Sequence, residues 1–172
     1  MARMATLILL SAIPGSGKST WANHYRKEHP KTYIVASDDV RQRVSGDVQN
    51  FEHEALVWET FLKELNEHAE DDDETTVIAD ATNLQNRYRE YYCKQTPKFH
   101  KHVLVLFDIP FEICKIQNQM RHHSRIVSDE AMESLRAEFE YPTQEIIDLY
   151  DEYIVIDESY ISKKAKNLIE SK

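Results

Sequence analysis

Residues 12–20 read Ala-Ile-Pro-Gly-Ser-Gly-Lys-Ser-Thr. Two of the three glycines in the 172-residue chain, Gly15 and Gly17, stand one residue apart in this run. A lysine and two hydroxyl side chains follow them. This is the pattern of a loop that wraps a polyphosphate with successive backbone N–H groups. Glycine there permits backbone conformations and close approaches that a Cβ would obstruct. A helix starting near Lys18 would point its positive end at the same anions. The pattern assigns Pro14, Gly15, Ser16, Gly17, Lys18, Ser19 and Thr20 to a nucleoside triphosphate. Lys18 would bridge the β- and γ-phosphates, and Ser19 would give its hydroxyl to Mg²⁺. One departure is Ala12, which stands where G-x-x-x-x-G-K-[ST] begins with Gly. Alanine is the smallest replacement, so the loop is expected to survive.

Three further clusters could complete phosphoryl-transfer chemistry. The first is Ser37-Asp38-Asp39-Val40-Arg41. Phosphoryl transfer to a hydroxyl needs a carboxylate that orients and deprotonates it. Asp38 can fill that role, and so can a plain helix-capping role for one of the two aspartates. Arg41 lies one helical turn beyond, able to bind a substrate phosphate or to fix the carboxylate. The second cluster is Asp80-Ala81-Thr82-Asn83. Asp80 reads as a strand-end acid for Mg²⁺ or its water shell, or for substrate. Thr82 or Asn83 is expected to cap the helix that carries Arg87 and Arg89, and Asn83 and Arg87 are also candidates for substrate contact. The third is Arg121-His122-His123-Ser124-Arg125. Such a segment can close over ATP, with Arg121 and Arg125 on the nucleotide and Arg121 facing the transferred group. The adjacent His122 and His123 would point apart on a helix and are not read as a metal pair.

These clusters need a scaffold that gathers them. The short apolar runs 6–12, 33–36, 76–79, 102–107 and 153–156 are unbroken rather than alternating, as in strands buried on both faces of a parallel sheet. Helical patterns separate them at 18–28, 51–69, 85–95 and 110–122. Further helices are expected after Ser128 as an N-cap and from Pro142. In 51–69 the expected stripe is Phe51, Ala55, Trp58, Leu62 and Leu65. Gly46 is expected to close a short helix after Arg41. Strand–helix alternation repeated five times predicts one α/β domain over 1–172. Its five-stranded parallel sheet has the order 2-3-1-4-5, with a lid near 118–128. Each chemical cluster then follows the carboxyl end of a strand, where such sheets bind ligands.

Composition narrows the function classes. Hydrophobic residues make up 41% and charged residues 30%, too apolar for a disordered chain. The two cysteines, Cys93 and Cys114, make no disulfide scaffold and no Cys-x-x-Cys, so a cytoplasmic setting is the expectation. The apolar N-terminus loosely imitates a signal peptide but reads better as the first strand. Segment 52–74 carries ten acidic residues against Lys63, which matches the formal net charge of −9 for the whole chain. The rest is formally neutral, and 87–101 holds five cations against Glu90. An anionic acceptor on that basic strip is therefore not excluded. The acidic run 70–74 is expected to be a solvated loop.

Taken together the residues resemble the polynucleotide kinase branch of P-loop kinases, of the phage polynucleotide 5′-kinase type. The resemblance is carried by Ile13–Ala22, by SDDVRQ at 37–42, by DATNL at 80–84, and by FDIPFE at 107–112 leading to NQMR at 118–121. It implies that Lys18 and Ser19 bind ATP and Mg²⁺, and that Asp38 is the general base. It also implies that Arg41 contacts substrate phosphate and that Arg121 is the lid arginine. Asp80 stands two residues before Thr82, whereas the family's acid directly precedes its Thr. The phosphatase signature D-x-D-G-T of some relatives does not occur, so any activity is expected to be kinase-only. The expected function is Mg·ATP-dependent transfer to a hydroxyl, with a polynucleotide or nucleotide 5′-OH as the first choice of acceptor. A small-metabolite kinase and a nucleotide-dependent switch or binding module are the alternatives.

Overall fold

The computed structural model describes residues 4–160. Five parallel strands form one sheet in the order β2-β3-β1-β4-β5. They are β1 (Met4–Ser11), β2 (Thr32–Ala36), β3 (Glu74–Asp80), β4 (Lys101–Phe107) and β5 (Glu152–Ile156). The central strand β1 pairs in register with both neighbours, Ile8 lying opposite Ile78 on one side and Val103 on the other. Strand order and parallel pairing agree with the sequence expectation.

Side chains alternate across a strand, so a strand buried on both faces feeds two cores. Ala5, Leu7 and Leu9 face α3 (Glu54–His68), α4 (Asn86–Lys94) and α7 (Gln144–Leu149) through Phe61, Tyr92 and Ile146. Val40 of α2 (Ser37–Ser45) joins that core. Ile8 and Leu10 face α1 (Lys18–Glu28), α5 (Phe111–Gln119) and α6 (Asp129–Glu138) through Ala22, Ile113 and Met132. The result is three layers with every strand's carboxyl end at one rim.

Four local expectations differ from the structure. Helix α3 begins at Glu54, and Phe51 lies outside it. Asp47 accepts from Gln49 N and Asn50 from Glu52 N, and these short side-chain turns compete with helix. The face of α3 that meets the core is Val57, Phe61 and Leu65, while Ala55 is exposed. Helix α5 stops at Gln119, and the chain then makes a 3₁₀ turn over His123–Arg125. His122 and His123 are therefore not on a helix, and their rings lie 4.2 Å apart instead of diverging. Helix α7 starts at Gln144 with Thr143 as its cap, the hydroxyl accepting from Ile146 N, so Pro142 precedes the cap. Ser128 caps α6 as expected, accepting from Ala131 N, and Gly46 closes α2 at φ 81°.

Candidate functional site

The loop between β1 and α1 is shaped by its glycines and by helix α5. Gly15 and Gly17 adopt φ of 86° and 95°, and Gly17 is the N-cap of α1. No acidic residue occupies the first turn of α1, which leaves its N–H groups to an external anion. Ala12 is fully buried, and its N–H donates to Thr82 O, so this position serves the strand junction. Gly15 has a second duty that the sequence pattern conceals. A Cβ there would collide with the Cys114 carbonyl oxygen and stand 2.9 Å from Asn118 N, both in α5. The space a side chain would need is filled by α5 backbone, and Gln117 Nε2 donates to Gly15 O at 2.7 Å. Gly15→Ala is accordingly expected to weaken nucleotide binding by on the order of tenfold or more and to lower the melting temperature. Gly46→Ala is its control: φ is also positive, but no atom lies within 4 Å, so only the backbone strain is added. Isothermal titration with ATP and thermal melting of both variants check this.

At the end of β3, Asp80 faces the loop. Its Oδ2 accepts from Ser19 Oγ at 3.1 Å, and Oδ1 lies 3.9 Å from Lys18 Nζ. Asp80 is nearly buried, so this carboxylate acts on its two neighbours across little water. The structure thus joins a lysine, a hydroxyl and a carboxylate from two strand ends. A Ser hydroxyl beside a carboxylate is a hard-oxygen pair of the kind Mg²⁺ prefers when substrate phosphates and water complete its shell.

A second assembly faces this one. Asp38, in the first turn of α2, accepts from Arg41 Nη1 at 3.0 Å, and its other oxygen lies 3.8 Å from Arg121 Nη2. Arg41 is 5% exposed and forks onto Glu54, with Nε–Oε2 at 2.9 Å and Nη2–Oε1 at 2.7 Å. Its guanidinium also lies 4.5 Å from the centre of the Phe51 ring. Burial acts against the charge on Arg41, but hydrogen bonding and charge from Glu54, then Asp38, raise its pKa above the ordinary value. Burial pulls Arg121 below its ordinary value, Asp38 opposing and Arg125 adding to the shift. Arg125 Nη2 reaches Asp39 Oδ1 at 3.2 Å, and Gln49 Nε2 donates to Ser124 O at 3.0 Å. The segment after α5 is therefore tied down over α2. Of the two roles open to Arg41 in the sequence, this geometry displays the fixing of Asp38.

Two concavities flank these groups. A recess of about 260 Å³ is lined by Gly15, Gly17, Thr20, Gln117 and Met120. A cleft of about 670 Å³ contains Asp38, Arg41, Phe51, Glu54, Trp58 and Asp80. Lys18, Ser19 and Arg121 line both.

Other candidates lie elsewhere. Asn83 does not cap α4, whose N-cap is Gln85. It is 5% exposed at φ 45°, donates to Leu10 O, and its own carbonyl accepts from Ser11 Oγ. Asn83 thus clips the β1 end and lines neither concavity. Arg87 also lines neither; it bonds Gln85 and the Tyr88 hydroxyl. The lysines of the basic strip each pair with an acid. Lys94 pairs with Glu90, Lys98 with Glu70 and Lys101 with Glu152. Arg89 is fully buried and donates to Ser11 Oγ, Leu84 O and Asn86 Oδ1, with burial lowering its pKa to about 10. In the acidic run 70–74, which is largely exposed as expected of a solvated loop, Glu70 pairs with Lys98 and Asp72 accepts from the Tyr33 hydroxyl.

Sequence reasoning missed Glu54, Trp58, Gln49 and Gln117. Glu54 was one acid among ten in its segment, and its partner Arg41 lies 13 residues away. Gln49 and Gln117 carry no charge signal at all. Among the described residues, no group of three or more His, Cys, Asp or Glu could hold a metal, and no helix is long and apolar enough to cross a membrane.

Among curated proteins, none matches the chain. Solved structures do, at the level of the fold. A gluconokinase from Sinorhizobium meliloti 1021 is 14% identical, with 99% of each chain covered and a TM-score of 0.59. Chaetomium thermophilum Kti12, solved with ADP-AlF3, is 13% identical, with 96% of each chain covered and a TM-score of 0.67. A chain of the Pnkp1/Rnl/Hen1 RNA repair complex is 21% identical with a TM-score of 0.70. That match covers 88% of this chain but 48% of the repair-complex chain, so this chain spans about half its length. The AAA domain family matches residues 7–142, most of the sequence, and the chain belongs to that family.

Proposed function

We propose that the protein is an Mg·ATP-dependent kinase acting on a hydroxyl acceptor. The observation that carries this reading is the meeting of two concavities at Lys18, Ser19 and Arg121, with Asp38 lining the larger one alone. Hydrolysis by a switch protein needs room for water; a cleft of about 670 Å³ that shares Lys18, Ser19 and Arg121 with the recess has room for a second substrate. The phosphates would lie on the loop and the α1 N-terminus, with Lys18 balancing their charge. Ser19 and Asp80 would hold Mg²⁺, which supplies charge neutralisation across the phosphates when bound. Arg41 holds Asp38 Oδ1, leaving Oδ2 to accept the proton of the incoming hydroxyl. The acceptor oxygen then bonds to the γ-phosphorus, the bond to the β,γ-bridging oxygen breaks, and ADP leaves. Arg121 lies beside both the acceptor base and the nucleotide recess, placed to balance charge on the transferred group.

For the acceptor, the first reading is a polynucleotide or nucleotide 5′-OH. It is supported by the motif resemblance and, in fold, by the RNA-repair chain. A small-metabolite kinase is favoured by one observation: the lysines of the strip 87–101 are paired with acids. Transfer from γ-labelled ATP to 5′-OH DNA, 5′-OH RNA, nucleosides and sugars separates these readings. Labelled 5′-phosphate on an oligonucleotide is the expected result. Label on sugars alone overturns the first acceptor, and slow hydrolysis with no labelled acceptor overturns the kinase.

A further inference from the structure

The large cleft carries aromatic and branched apolar side chains among its polar groups. Phe51 lines it and is 57% exposed, so much of its ring surface is open. It is held in place nonetheless. The Arg41 guanidinium packs on its ring at 4.5 Å and is itself locked by Glu54 and Asp38. Trp58 lines the same wall, 6.0 Å from the guanidinium. Ile126, Val127 and Leu135, from the segment after α5 and from α6, line the same cleft. The cleft thus combines Asp38 and Arg121 with flat and branched apolar groups, and Arg41 links Asp38 to Phe51.

We propose that Phe51 is the platform on which the first base of a 5′-OH acceptor stacks. The inference rests on the kinase reading and its first acceptor above, and names the residue that would hold that acceptor. A flat ring already fixed on one side by a cation presents its remaining surface at little entropic cost, and base–aromatic stacking needs no base-specific hydrogen bond. The fork of Arg41 onto Glu54 fits the same picture: recognition at this wall comes from stacking, while Arg41 positions Asp38 and supports the ring.

The test uses a 5′-OH oligonucleotide with 2-aminopurine as its first base, whose fluorescence falls on stacking. Wild-type protein, Phe51→Leu and Phe51→Trp are titrated with it in the presence of ATP and Mg²⁺, and acceptor and ATP KM are measured where transfer occurs. Stacking worth about 1–3 kcal/mol corresponds to a roughly 5- to 150-fold loss of acceptor affinity. Phe51→Leu is expected to lose the quench and raise acceptor KM within that range, with ATP KM unmoved. Phe51→Trp is expected to restore both. Quenching that survives unchanged in Phe51→Leu, or wild-type protein that neither binds nor quenches the probe, overturns the platform. The binding arm decides the point even without transfer, whereas absence of transfer to every acceptor counts against the kinase reading alone.

Discussion

Asp38→Asn is expected to lower turnover by about 10²–10⁴-fold while ATP affinity stays within about twofold of wild type. The amide keeps the shape of the carboxylate but takes no proton from a hydroxyl. It also removes the negative charge that faces two arginines, Arg41 at 3.0 Å and Arg121 at 3.8 Å. The ATP recess is not lined by Asp38, which is why binding should survive. Arg41 would still be held by Glu54, so the wall of the cleft should remain in place. Single-turnover transfer and ATP titration separate the two effects. Unchanged turnover would remove Asp38 from the reaction.

Asp80→Ala is expected to have the second large effect, and on the other side of the γ-phosphate position. This carboxylate is 7% exposed and engages both Ser19 and Lys18. Without it, Lys18 loses its anionic partner in a poorly solvated place, and the oxygen pair proposed for Mg²⁺ loses its charged member. The apparent Mg²⁺ requirement should rise about 10–100-fold, by analogy with groups that orient metal ligands. Turnover at saturating metal should fall about 10²–10³-fold, as when one preorganised electrostatic group is lost. Mg²⁺ titrations of ATP binding and of turnover read these separately. A shift confined to acceptor KM, with metal dependence unmoved, would place Asp80 on the substrate instead.

The loop side of the candidate site is legible in the sequence because its residues are contiguous. A strand, a glycine-bounded loop, Lys18, Ser19 and a helix follow one another in 25 residues, and short-range stereochemistry dictates their arrangement. The sheet was legible for a similar reason: continuous apolar runs such as 102–107 leave few alternatives to a buried strand. On the Asp38 side, Asp38, Arg41 and Arg121 stand out in the sequence as chemical groups, but Glu54 and Trp58 do not, since they meet Arg41 only after α3 packs beside α2. Net charge also misled. Arg89 counts as a surface cation in the sequence, yet it is buried beneath Ser11 and Leu84. Phe51 obeys helical spacing with Ala55 and Trp58, but turns at Asp47 and Asn50 keep it outside the helix. Gly15 was explained by the ligand alone, when the backbone of α5 at Cys114 already excludes a side chain there.

In the proposed reaction, ATP cleavage at this site is coupled to an acceptor hydroxyl. ADP formation measured with and without a 5′-OH oligonucleotide, alongside phosphate incorporated into it, tests this directly. The oligonucleotide is expected to stimulate ADP formation, with one phosphate incorporated per ADP. ADP formation at the same rate with and without acceptor, and no phosphate on the oligonucleotide, would contradict it.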